Sequence, residues 1–173
     1  MQTAREAGAL VSVDVNLRPS LWRDQQEMRA VALEAAGEAD ILKVNEEELS
    51  IMTGAAEVEE GLARLRRPRR RLTAVTFGPR GALLATAEHR ARAPGFAVSV
   101  VDTVGCGDAY TASLLADLAA SPAELESPAG LATLARRACA AGALAATAAG
   151  AMEGLPTADR RDAFLAGGDL STR

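Results

Sequence analysis

The chain has 173 residues, 49% hydrophobic, 24% charged and only 3% aromatic, so one domain with an Ala-, Leu- and Val-built core is expected, and disorder or a fibrous repeat is not. The formal net charge of -4 argues against a general affinity for nucleic acid or an anionic membrane surface. Two cysteines without CxxC or Cys/His metal spacing, and an opening MQTAREAGA without a signal-peptide profile, point to a reducing, cytoplasmic setting.

In chain order, TAREAGA reads as a helix and LVSVDVN, residues 10–16, as a buried strand ended by polar residues and Pro19. A helix follows over 24–37 with Met28, Val31, Ala32 and Ala35 on one face. ILKVN, residues 41–45, repeats the strand pattern. EEELSIMTG then reads as a helix with an acidic first turn and Gly54 at its end. A small helix is expected over 57–65. The basic run RLRRPRRR, residues 64–71, is read as a solvated loop ahead of a strand rather than a nucleic-acid patch.

LTAVTFG, GALLATA and FAVSVV read as three strands, with a turn at GPRG between the first two, and His89 in EHRAR as a solvated turn residue. A long helix is expected from Gly105, another over 128–148, a loop AGAMEGLP, a short helix over 158–166 and a frayed tail GGDLSTR. The apolar run 131–149 is broken by Arg136 and Arg137 and dominated by Ala, so it predicts a core helix rather than a bilayer span. Strands alternating with helices, then a short antiparallel section, then helices describe an α/β domain with a mostly parallel sheet.

The stretch DTVGCGD, residues 102–108, carries the chemistry. A helix that opens near Gly105 presents free N–H groups and the positive end of its dipole, and Gly105 and Gly107 let an anion approach closely. Asp108 beside a phosphate is repulsive unless it takes a proton. Next to a phosphoryl-accepting hydroxyl it can do so while the amides of Gly105, Cys106 and Gly107 stabilise the transferring group. Asp is equally a good first-turn residue of any helix, so spacing alone leaves a structural role open.

DTVGCGD resembles the DTxGAGD signature of the PfkB, ribokinase-like, carbohydrate kinases. VDVNLRPSLW, ADILKVNEEELSIMTG, AVTFGPRGAL and TAAGAMEGLPT resemble further segments of that family in the same order. The resemblance implies a ribokinase-like three-layer α/β/α sandwich and ATP-dependent phosphorylation of a sugar hydroxyl, with a fructokinase-like lean from NLRPSLW and KVNEEEL. It implies Asp108 as base and the amides of Gly105, Cys106 and Gly107 as anion hole. It implies Asn45, Glu48 and Asp102 near Mg2+, and Thr76, Gly78 and Gly81 along the nucleotide. The 147–157 loop with Gly150 would close over the nucleotide and, with a monovalent cation such as K+, complete the site. Asn16 and Arg18 end their strand where sugar or phosphate could be met, although an exposed turn before Pro19 is the plain alternative. Two departures stand out: Cys106 replaces the usual Ala, and Cys139 falls where many relatives carry Asn near adenine. Neither thiol has a sequence neighbour that would activate it.

Relatives are usually much longer. What is expected to be absent is the N-terminal half, with its β lid and sugar-gripping loops, so an exposed sheet edge should invite a homodimer or the missing half. Three readings stay open: the C-terminal part of a sugar kinase, with fructose-like or 2-keto-3-deoxygluconate-like specificity; a remnant that holds nucleotide without turnover; and an interaction module with idle motifs.

Overall fold

The computed structural model describes residues 2–167, and the expected fraying of the tail falls outside them from residue 168 onward. The chain forms two compact units, Met1–Phe77 with Leu84–Glu88, and Gly78–Leu83 with His89–Arg173.

In the first unit, helix α1 (Gln2–Glu6) leads to the short strand β1 (Ser12–Asp14), three residues against the seven expected. Leu10 is exposed and only Val11 of that run is buried, so the apolar stretch is a strand over less than half its length. Helix α2 (Gln25–Gly37) starts where the Asp24 side chain accepts the N–H of Gln26 at 2.7 Å and of Glu27 at 3.4 Å. Its buried row is Met28, Ala32 and Ala36 at i, i+4 spacing; Val31, expected inside, is exposed. Strand β2 (Ile41–Asn45) has the expected bounds, and helix α3 (Glu46–Thr53) ends on left-handed Gly54, as its sequence predicts. Helix α4 (Val58–Arg64) and strand β3 (Leu72–Thr76) complete this part. β1 pairs with β2 and β2 with β3, both parallel, in a register running from Ser12↔Ile41 to Asn45↔Thr76.

The basic run is largely spent internally. Arg64 donates to the Thr53 carbonyl and to Glu60, Arg69 reaches Asp40 at 3.4 Å, and Arg70 donates to the carbonyls of Ala36 and Ala39 at the end of α2.

Strand β4 (Ala82–Ala85) follows a 3-10 turn at Gly78–Arg80, and β5 is Arg90–Ala93. The strands lie in the order β1-β2-β3-β4-β5. The links 77–81 and 86–89 are far shorter than the dozen or so residues a parallel crossover needs, so both are hairpin links and the sheet is mixed. The third expected strand is displaced: FAVSVV is irregular, and the polar Arg90–Ala93 takes its place, its residues alternating outward and inward until buried Ala93.

In the second unit, helix α5 (Cys106–Ala120) packs along α6 (Pro128–Ala145), whose buried face is Leu131, Leu134, Ala135, Ala138, Cys139, Ala141 and Leu144. Ala at the contact lets the two helices approach closely. Helix α7 (Ala158–Leu165) is tied to α5 by buried Arg161, which donates to Ser113 Oγ at 2.8 Å and Asp117 Oδ2 at 2.9 Å. Among the described residues no helix is long and apolar enough to cross a membrane.

Candidate functional site

The start of α5 is built to leave donors open. Its N-cap is Gly105, which has φ 82° and no side chain to cap the helix, and a Cβ there would stand 2.8 Å from the Ala151 carbonyl oxygen. Only glycine satisfies both conditions. The Cys106 N–H makes a long 3.3 Å bond to the Thr103 carbonyl, and the first regular helical bond runs from the Ala109 N–H to the Gly105 carbonyl at 2.8 Å. Among the described residues the N–H groups of Gly105, Gly107 and Asp108 meet no acceptor. The Asp108 side chain stands exposed on this first turn with no hydrogen bond or ion pair there. Uncapped amides, a helix dipole and an unengaged carboxylate therefore share one turn.

The turn before the helix is laced to the loop after α6. Asp102 Oδ1 accepts the Val104 N–H at 3.0 Å, and Oδ2 accepts the Gly150 N–H at 3.0 Å. These two amides hold the Asp102 carboxyl below the usual carboxylate range. The N–H groups of Val101 and Asp102 both reach the Ala146 carbonyl, at 2.8 and 3.3 Å. Gly150, at φ 85°, is thus tied through Asp102 to the turn that leads into α5.

Cys139 does not. It is buried on the α6 face, where desolvation pushes its thiol up to about 11. Burial, then the charge of Asp102, raises the Cys106 thiol as well. Both sulfurs stay protonated near neutrality, which leaves neither suited to nucleophilic work. Beside Cys139, the Tyr110 hydroxyl is buried without a hydrogen-bond partner, and burial drives its acidity down further. Gly78 and Gly81 lie in the 3-10 turn. Gly81, at φ 96°, comes so close to β5 that a Cβ would sit 2.0 Å from the Ala93 carbonyl oxygen, so packing alone already requires glycine there.

The first unit gathers a second group. Glu48, only 4% exposed, accepts the Leu17 N–H on Oε1 and the Asn45 N–H on Oε2, both at 2.8 Å, while Asn45 Oδ1 accepts the Glu48 N–H at 2.8 Å. The NxxE spacing is thus a capping box that also anchors the chain leaving β1. Next to that anchor, exposed Asn16 has φ 45°, the sole positive value at a non-glycine position among the described residues, and Arg18 donates only to the neighbouring Leu17 carbonyl. Thr76 is the register partner of Asn45. The sequence reading missed Lys43 and Asp14, which form a largely buried pair at 3.1 Å on adjacent strands. Two opposite charges inside apolar strand patterns were the available signal. Among the described residues no three His, Cys, Asp or Glu side chains converge as a metal cage.

Comparison with known proteins shows the family and the fold. The pfkB family carbohydrate kinase pattern matches residues 1–158. The chain is 40% identical over 158 residues to Fructokinase-1 of Oryza sativa, covering 91% of this chain and 49% of that protein. Its structure matches fructokinase from Vibrio cholerae O395, in its fructose-, ADP- and calcium-bound form, with a TM-score of 0.85, 38% identity, and coverage of 95% of this chain and 53% of the other. It also matches aminoimidazole riboside kinase from Salmonella enterica, complexed with aminoimidazole riboside and an ATP analogue, with a TM-score of 0.78 and 38% identity over 95% of this chain and 55% of the other. The fold is ribokinase-like α/β, and the chain spans about half the length of the relatives it matches.

Proposed function

The chain belongs to the pfkB family of carbohydrate kinases, and from that premise we propose that it carries the phosphoryl-transfer half of a fructokinase-like enzyme acting on ATP and a sugar hydroxyl. The observation that supports this most is the unengaged Asp108 carboxylate on the same turn as the uncapped N–H groups of Gly105 and Gly107. A phosphate suits that turn because its donors lack acceptors and Gly105 leaves no side chain in the way. As the sugar oxygen forms its bond to the γ-phosphorus and the bond to ADP breaks, Asp108 accepts the hydroxyl proton. The amides at the α5 tip, Cys106 with them, stabilise charge on the transferring group. Only the amide of Cys106 is needed, so its thiol in place of a methyl is tolerated.

Mg2+ would supply charge neutralisation at the phosphates. Glu48, with Asn45 beside it in the first unit, and Asp102 in the second each keep acceptor capacity on oxygens that take one backbone N–H, and each would suit a hydrated ion. A monovalent cation such as K+ would use main-chain carbonyls of the Asp102 and 147–157 segments. Thr76, Gly78 and Gly81 would line the nucleotide, and Asn16 and Arg18 would meet sugar or phosphate. Cys139 would act there only through its packing. On this reading residues 1–173 work as one domain in the cytoplasm, completed by an N-terminal half or a second copy.

A second reading, nucleotide binding without turnover, is favoured by the match to only about half of each relative, because in-line positioning and water exclusion supply much of the rate of such transfers. A coupled ADP-release assay over fructose, aminoimidazole riboside and 2-keto-3-deoxygluconate, on this chain and on an upstream-extended form, separates the two. Turnover lost in Asp108→Asn supports the kinase; MgADP-induced thermal stabilisation with no turnover in either form supports the second reading; turnover unchanged by Asp108→Asn overturns the base.

A further inference from the structure

The Asp102 carboxylate is the only side chain among the described residues that bonds the turn before α5 to the loop after α6, one oxygen on each. Two neighbouring features show that the joint is built rather than incidental. Backbone bonds from Val101 and Asp102 converge on the Ala146 carbonyl, and Gly105 meets the Ala151 backbone at a distance that leaves no room for a Cβ. The 101–105 turn is thereby fixed against 146–151 at three successive places. Among the described residues no side chain caps the α5 amides. Their direction is set by the turn, and the turn is set by the joint.

We propose that Asp102 is a positioning residue: a latch that aims the open N–H groups of Gly105 and Gly107 by pinning Gly150. This rests on the phosphate-binding reading of the α5 tip but makes a separate structural claim. A carboxylate can accept both bonds at once. An asparagine has one acceptor oxygen and turns a donor toward the other N–H, so it keeps one bond and loses the other; alanine keeps neither. The expected order of effect is therefore Asp, Asn, Ala.

The test is amide hydrogen exchange of the full chain read residue by residue, together with MgADP affinity by calorimetry, for the wild type, Asp102→Asn and Asp102→Ala. Gly150 and Val104 should lose about tenfold or more of their protection in Asp102→Ala, with Asp102→Asn losing it at one of the two, while the interior amides of α5 and α6 keep theirs. MgADP affinity should fall about tenfold in Asp102→Ala and less in Asp102→Asn, following the loss at Gly150. Wild-type protection at Gly150 in Asp102→Ala overturns the latch, as does a uniform loss across both helices. Loosening of Gly150 with unchanged MgADP affinity overturns the positioning role. A wild type that fails to bind MgADP overturns the phosphate-binding reading and with it the positioning role, while exchange at Gly150 still decides the latch. Should Asp102→Ala not fold, the one-bond asymmetry in Asp102→Asn decides the matter.

Discussion

Glu48 holds Leu17: a buried carboxylate oxygen on α3 accepts the N–H of the residue that follows the β1 exit, at 2.8 Å. The same carboxylate takes the Asn45 N–H on its other oxygen. Glu48→Ala leaves both amides without an acceptor, and a buried orphan donor costs about 1–3 kcal/mol. Urea unfolding should therefore show a loss of about 2–4 kcal/mol. Stability unchanged within error would mean that the capping box contributes nothing and that Glu48 is present for the nucleotide alone.

Tyr110 offers the reverse case. Its hydroxyl is buried and meets no partner. Tyr110→Phe removes the desolvation cost at almost constant volume and should stabilise by about 1 kcal/mol, a rise of about 2–4 °C in the melting temperature for a chain of this size. A lower melting temperature in the Phe variant would show that the hydroxyl is satisfied in solution.

Gly81→Ala should be severe. The residue has φ 96°, and the new methyl would lie 2.0 Å from the Ala93 carbonyl oxygen. Left-handed strain and overpacking each cost about 1–3 kcal/mol, so the expected loss is about 2–5 kcal/mol, read by denaturant titration. Gly78→Ala is the informative partner, since its φ is 58° but open space surrounds its Cβ position, and it should lose only the strain.

Alkaline stability follows from Cys139. Burial raises its thiol from the ordinary 9.0 to about 11, so the folded state keeps a proton that the unfolded state releases between those values. The stabilising contribution is complete below pH 9 and is lost as pH rises through 11, amounting to about 2–3 kcal/mol. Tyr110, raised in the same direction, adds to the loss above pH 10. Unfolding midpoints between pH 8 and 11.5 should fall steeply in the wild type and less steeply in Cys139→Ala; equal slopes would remove the thiol as the cause.

Much of this was legible in the sequence where local chemistry decides structure. ILKVN has strand bounds that match to the residue, whereas the NxxE spacing, read in the sequence only for magnesium, forms a capping box that the reading did not foresee. The helix start at Gly105 was legible too, while its chemical role rested on the family resemblance, since glycine and Asp also suit the first turn of any helix. Failure came where tertiary packing overrode propensity. FAVSVV looks like a strand, yet Pro94 and Gly95 stand at its entrance, Phe96 leaves to pack on Phe164 with a centroid distance of 5.1 Å, and Val100 and Val101 face outward. RARA, with weak strand propensity, forms β5 instead, its Ala93 carbonyl passing so close to residue 81 that only glycine fits there. Val31 lies outside the core because the buried row follows strict i, i+4 spacing through Met28, Ala32 and Ala36. The Asp102–Gly150 bond, spanning forty-eight positions, has no local signature at all.

Arg70 divides the basic run into two populations. Its guanidinium is depressed to about 10 by burial and by the neighbouring charge of Arg67, and it closes the carbonyl end of α2 through Ala36 and Ala39. Arg66, four residues before it, and Arg71, the next residue, are exposed. Altering the surface potential of this protein for purification or crystallisation is accordingly a matter of choosing among arginines that look alike in print: the exposed two can be exchanged for glutamate at little cost to the fold, whereas Arg70 is a half-buried structural bolt.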